Sequence, residues 1–154
     1  MRTTYKILGH SIAGLVAIQA AAIALWVFGL LIWIDEGDGN TLTPQLSEDR
    51  LEGVTGAIGI TIHSFGAMVV ALLAIVLLII SFFAKIPGGV KWASFVFLAV
   101  LLQWVLAIAS FSIAGLGALH GLNAIVIAWL GWRAAKQASV VSPAAPAPEA
   151  AVAR

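Results

Sequence analysis

Apolar residues run almost unbroken along this chain, and the polar ones fall in a few short bands between them. Ile7 to Ile34 contains no Asp, Glu, Lys or Arg, and neither does Gly53 to Ala84. Each stretch exceeds the ~20 residues needed to cross a hydrocarbon core. A third uncharged stretch, between Lys91 and Arg133, is about twice the length one crossing needs. Its middle, "SFSIAGLGALHG" from Ser110 to Gly121, is rich in Gly and Ser and predicts a tight helix–helix turn. The pattern predicts an all-α fold, a bundle of four transmembrane helices at about 7–34, 54–84, 92–114 and 117–135. Residues 1–136 form the four-helix domain, and the Pro/Ala-rich segment 137–154 is expected to be a disordered cytoplasmic tail.

Composition agrees with the pattern. Of 154 residues, 62% are hydrophobic and 10% charged, with a mean hydropathy of +1.07. Soluble domains are nearer half apolar and a quarter charged, so the expected surroundings are a lipid bilayer. A net charge of +1 gives no footprint for nucleic acid. The chain has no cysteine, which excludes disulfides, thiolate catalysis and iron–sulfur clusters. Partners met within the bilayer would be other membrane subunits or further copies of the chain.

Charge placement predicts an orientation. Arg2 and Lys6 precede the first span, Lys85 and Lys91 flank the second loop, and Arg133 and Lys136 close the fourth span. The first loop instead carries Asp35, Glu36, Asp38, Glu48, Asp49 and Glu52 against Arg50. By the positive-inside rule both termini are cytoplasmic and the acidic loop faces out, as in a multi-pass protein of a bacterial inner membrane. The first run is too long for the apolar core of a signal peptide and is read as a retained helix. "DEGDGN" departs from calcium-loop spacing and reads as a solvated loop.

The candidate chemistry lies in the histidines. Ionisable groups within spans are costly and mark functional sites by default. On this topology His63 and His120 both belong to the outer half, whereas His10 opens the first helix on the inner side. Two imidazoles from facing helices of a four-helix bundle suit a bis-His haem, here a haem b. Gly59 and Gly66 flank His63 at i−4 and i+3, and Gly117 and Asn123 flank His120 at i−3 and i+3. These residues, with His63 and His120 as ligands to the haem iron, make up the expected cofactor site. The same glycines also allow close helix contact with no cofactor.

Depth opposes the pairing. His63 is 22 residues from Lys85 and His120 is 13 from Arg133. At ~1.5 Å per residue the mismatch is roughly 13 Å, or about 9 Å if Lys136 is the anchor. Gln19, Gln103 and Ser110 are expected to be interhelical hydrogen-bond partners. Trp33, Trp92 and Trp132 read as interfacial anchors, and Trp26 and Trp104 as packing residues. No catalytic residue is expected. The spans hold no carboxylate, and the chain has no Ser-His-Asp set, Walker loop or HExxH.

Several segments resemble one four-helix half of the haem A synthase family. They are "LLQWVLAIAS" (Leu101 to Ser110), "LHGLNAIVIAWLGW" (Leu119 to Trp132) and "TIHSFGAMVVALLAIVLL" (Thr61 to Leu78), with the basic loop "AKIPGGVKW" between. The resemblance covers roughly residues 5–136 and implies His63 and His120 as axial haem ligands. It has departures: Ile60 stands where those enzymes carry a glutamate, the cysteine pair of many bacterial members is absent, and their eight helices are twice what this chain supplies. The resemblance therefore implies a haem-binding scaffold for electron transfer or haem handling, without haem-hydroxylating chemistry. The competing expectation is a cofactor-free accessory subunit of a larger, respiratory membrane complex.

Overall fold

The computed structural model describes residues 1–36, 54 and 56–139. They form four helices: α1 (Arg2–Asp35), α2 (Ile58–Phe83), α3 (Gly89–Ser110) and α4 (Ala114–Gln137). These are 34, 26, 22 and 24 residues long, and each is long and apolar enough to cross a membrane. The acidic loop after Glu36, including "DEGDGN" from Gly37 onward, and the Pro/Ala tail from residue 140 lie outside the described residues.

α1 packs against α2 and α4, and α3 packs against the same two. No comparable contact joins α1 to α3 or α2 to α4 among the described residues. The bundle is therefore a square in which α2 and α4 stand on a diagonal and run parallel. Its core holds small and branched side chains, including Ile12, Ala74, Leu77, Ala93, Val96, Ile127 and Ala134. Large apolar side chains point outward instead, with Phe28, Leu72, Val105, Ile108 and Ile125 all more than half exposed. An exterior of this kind is far more apolar than soluble proteins tolerate.

Glycine brings α1 and α4 together. A Cβ on Gly9 would stand 2.7 Å from the Gly131 carbonyl oxygen, and one on Gly131 would stand 2.9 Å from that of Gly9. The helices thus meet backbone to backbone. The end with the short α2–α3 loop is tied further. Tyr5, fully buried, donates its hydroxyl to the Gly89 carbonyl at 2.7 Å, and Gln137 donates to the Pro87 carbonyl at 2.7 Å. In that loop Lys85 and Gly88 adopt positive φ angles of 50° and 69°. Arg133 lies 4.8 Å over the Trp92 ring, and Lys136 lies 5.5 Å over Trp132.

Three expectations change. The α3–α4 turn is Phe111 to Ile113, so α3 ends four residues earlier than predicted, and Gly115, Gly117 and Gly121 are helical residues of α4. Ser110 makes no interhelical bond. It donates back to the Ala107 carbonyl in its own last turn, at 2.7 Å. α4 also runs one turn past Arg133, which is why residue counts from that arginine misplaced His120.

Candidate functional site

His63 is the sixth residue of α2 and His120 the seventh of α4. The two parallel diagonal helices begin at the same end of the bundle, so the imidazoles lie level. Their ring centroids are 6.3 Å apart, with planes inclined by 57°. The expected depth mismatch is absent. It came from taking Lys85 and Arg133 as equivalent ends, whereas Lys85 follows the end of α2 and Arg133 precedes the end of α4.

Each imidazole is oriented by the helix beside it. His63 Nδ1 lies 3.2 Å from the main-chain oxygen of Gln19 on α1, and His120 Nδ1 lies 3.2 Å from that of Gln103 on α3. A carbonyl oxygen only accepts, so Nδ1 carries the hydrogen in both rings. In the neutral ring Nε2 then holds a lone pair, the tautomer that suits a metal ligand with its other nitrogen on a carbonyl.

The halves differ at Nε2. His63 Nε2 makes no hydrogen bond among the described residues. His120 Nε2 accepts from the Gln103 side-chain amide at 3.1 Å. Asn123 fixes that amide by donating to Gln103 Oε1 at 2.7 Å and to the Ala99 carbonyl at 2.8 Å. Neither amide can be flipped, since a flip would set oxygen against oxygen at Ala99 and nitrogen against nitrogen at Gln103. In the other half Gln19 donates to the Ile62 carbonyl at 3.3 Å, and its buried Oε1 has no partner. The residue three beyond His63 is Gly66, which abuts the Gln19 amide and offers no side chain to meet that oxygen. α1–α2 and α3–α4 thus repeat one arrangement, Gln beside His, with Gly66 and Asn123 in corresponding places.

Beside the imidazoles lies a cavity of about 160 Å³, lined by His63, His120, Gln19 and Gln103 with apolar neighbours including Val70, Trp104 and Ile127. Of the expected site residues, only the two histidines line it. Gly59 faces the α1 backbone at Ala22, Gly66 faces the Gln19 amide, and Gly117 faces Ser110. Asn123 acts through Gln103, and Gly121 borders the cavity. His10 is exposed on α1, roughly 13 Å along the helix from Gln19. Trp104, expected to pack, stands at the cavity, while Gln19 and Gln103 bond between helices as expected. The sequence signal for the arrangement is slight: one glutamine in each odd-numbered helix, and "HSFG" and "HGLN" in the even ones.

Two opposed imidazoles bonded to one metal through Nε2, at about 2 Å per bond, have centroids roughly 6 Å apart. The observed centroid separation is of this size, but His120 Nε2 is directed at the Gln103 amide and not at His63. Among the described residues no group of three or more His, Asp or Glu could hold a metal ion, so the donor set is two imidazoles. The cavity is smaller than the ~300 Å³ at which ligand pockets begin, and the Gln103 amide occupies the position facing His120 Nε2. A macrocycle would have to displace that amide. The architecture is a bundle of four helices, each long and apolar enough to cross a membrane, with two imidazoles from α2 and α4 side by side. The chain matches no family model, no curated protein and no solved structure.

Proposed function

We propose that this protein is a b-type haem protein of a membrane, with His63 and His120 as the axial ligands, serving electron transfer or haem handling. The observation that carries the reading is the level, diagonal pair of imidazoles with Nδ1 of each on a main-chain carbonyl. Bound there, a haem iron would supply one-electron redox chemistry. The chain's own residues set the conditions. Gln19 and Gln103 orient the ligands through their carbonyls, and among the described residues no charged side chain lines the cavity beside the imidazoles. The apolar lining would favour the less charged, reduced state of a bound haem.

The bilayer location follows from the apolar exterior and the four long helices. The clustering of Arg2, Lys6, Lys85, Lys91, Arg133 and Lys136 at one end supports an orientation with both termini cytoplasmic. On that orientation the site lies toward the outer face of an inner membrane. A cofactor-free accessory subunit is the second reading. It is favoured by one observation, that Gln103 and Asn123 complete the hydrogen bonding of His120 with no ligand.

Purification with haem supplied, followed by reduced-minus-oxidised spectra, separates the two. The expected result is a low-spin haem spectrum in the wild type that is altered in both His63→Ala and His120→Ala. No haem band, or bands indifferent to both substitutions, would overturn the ligand assignment and favour the accessory role.

A further inference from the structure

The cavity of about 160 Å³ beside the imidazoles is close to the ~150 Å³ apolar space that takes up one benzene ring. Its polar lining is His63, His120, Gln19 and Gln103, and Trp104 adds aromatic surface to the rest. The polar demand in it is one-sided. His120 Nε2 already accepts from the Gln103 amide. His63 Nε2 makes no hydrogen bond among the described residues, and its Nδ1 hydrogen is held on the Gln19 carbonyl. Gln19 also buries its Oε1 without a partner. Both unmet groups are acceptors, so the occupant that answers them is a donor. Water serves poorly, because a buried water needs about two to four polar partners and His63 Nε2 offers one. A hydroxyl carried on a ring needs only that one, and the ring itself meets the apolar wall.

The cavity reaches the outside of the bundle between α1 and α4. Ala20 and Gly121 both line it, and both are exposed. Counted from the Gly9–Gly131 contact, Ala20 lies 11 residues along α1 and Gly121 lies 10 back along α4, which sets them level to within about 1.5 Å. A Cβ on Gly121 would meet nothing within 4 Å. We propose that, in the chain without haem, this cavity takes the ring of a lipophilic aryl alcohol, a phenol or hydroquinone, that enters between Ala20 and Gly121 and donates its hydroxyl to His63 Nε2. A tail on the ring leaves by the same gap, toward the apolar surroundings of the exterior. The hydroxyl hydrogen stays on its oxygen, and no bond of the ligand is broken. The proposal does not rest on the haem reading, since haem iron and the aryl hydroxyl would compete for one lone pair.

The test uses the full-length chain in lipid nanodiscs, purified without added haem and labelled with nitrogen-15 at histidine, its three histidines assigned by substitution. The probes are para-heptylphenol and its methyl ether, which keeps the ring and tail but has no hydroxyl hydrogen. The phenol is expected to shift the His63 Nε2 resonance while Nδ1 keeps its hydrogen, and to leave His10 unchanged. The ether is expected to compete with it roughly fivefold more weakly, the worth of one neutral hydrogen bond. Gly121→Leu, at a position with room for a side chain, is expected to weaken phenol binding while leaving the unliganded His63 signals as they are. No shift at His63, a shift of both its nitrogens as on protonation, equal competition by the ether, or wild-type affinity in Gly121→Leu overturns the proposal. The comparison of phenol with ether on the wild type decides the matter even if Gly121→Leu fails to fold. None of these outcomes bears on the haem reading, whose own test is the spectrum of protein supplied with haem.

Discussion

Among single residues, the two buried amides Gln19 and Asn123 make opposite demands on the fold. Gln19 leaves its Oε1 without a partner, and such a buried acceptor costs about 1–3 kcal/mol. Replacing it with methionine removes the unmet oxygen together with one long hydrogen bond of 3.3 Å, and leaves the main-chain oxygen that orients His63. Gln19→Met is expected to keep or raise the thermal midpoint in detergent; a clear drop would show that the Ile62 contact outweighs the orphan. Asn123→Leu strands Gln103 Oε1 and is expected to cost about 1–3 kcal/mol, read as a lowered midpoint. Tyr5→Phe deletes a buried 2.7 Å bond to the loop carbonyl of Gly89, with an expected loss of about 1–2 kcal/mol. An unchanged midpoint there would mean that water reaches Gly89.

For the elements, the number and approximate placement of the helices were legible because twenty uncharged residues in a row have few other uses. The α3–α4 turn was legible only as falling somewhere in Ser110 to Gly121. Gly115, Gly117 and Gly121 carry the usual turn composition, yet they lie inside α4, where glycine is tolerated in apolar helices. The break falls at Phe111 to Ile113, at the start of the Ser110 to Gly121 segment, where Ser112 is the one turn-forming residue. The histidine pair was legible as a pair of types, but its level placement was hidden, because charges mark membrane edges only to within a turn or two. The repeat of Gln beside His was hidden more deeply. Its members are 44 residues apart in one half and 17 in the other, so no fixed period exposes it. Contact between α1 and α4 gives the prediction at this scale. Gly131→Val would drive a branched side chain into the Gly9 backbone, and a loss of about 1–3 kcal/mol or more is expected. Wild-type stability for that variant would mean that the helices can part without cost.

The whole molecule offers an unusually clean test of topology, because the chain has no native cysteine. Single cysteines in place of Asp38 and of Ser139 should report on opposite faces of the membrane. A membrane-impermeant maleimide is expected to label Asp38→Cys in intact cells and Ser139→Cys only after permeabilisation. The reverse pattern would overturn the orientation, and labelling of both in intact cells would argue against an even number of crossings.

The diagonal placement of α2 and α4 carries a mechanical consequence. Because those helices pack chiefly against α1 and α3, the gap between their imidazoles is gauged by the thickness of α1 and α3, like the jaws of a calliper held by its frame. The small side chains of the frame keep that gauge narrow, and the backbone contact of Gly9 with Gly131 clamps it at the far end. A bulkier residue in the frame would therefore widen the jaws without touching either histidine, and so set the reach of the pair from a distance.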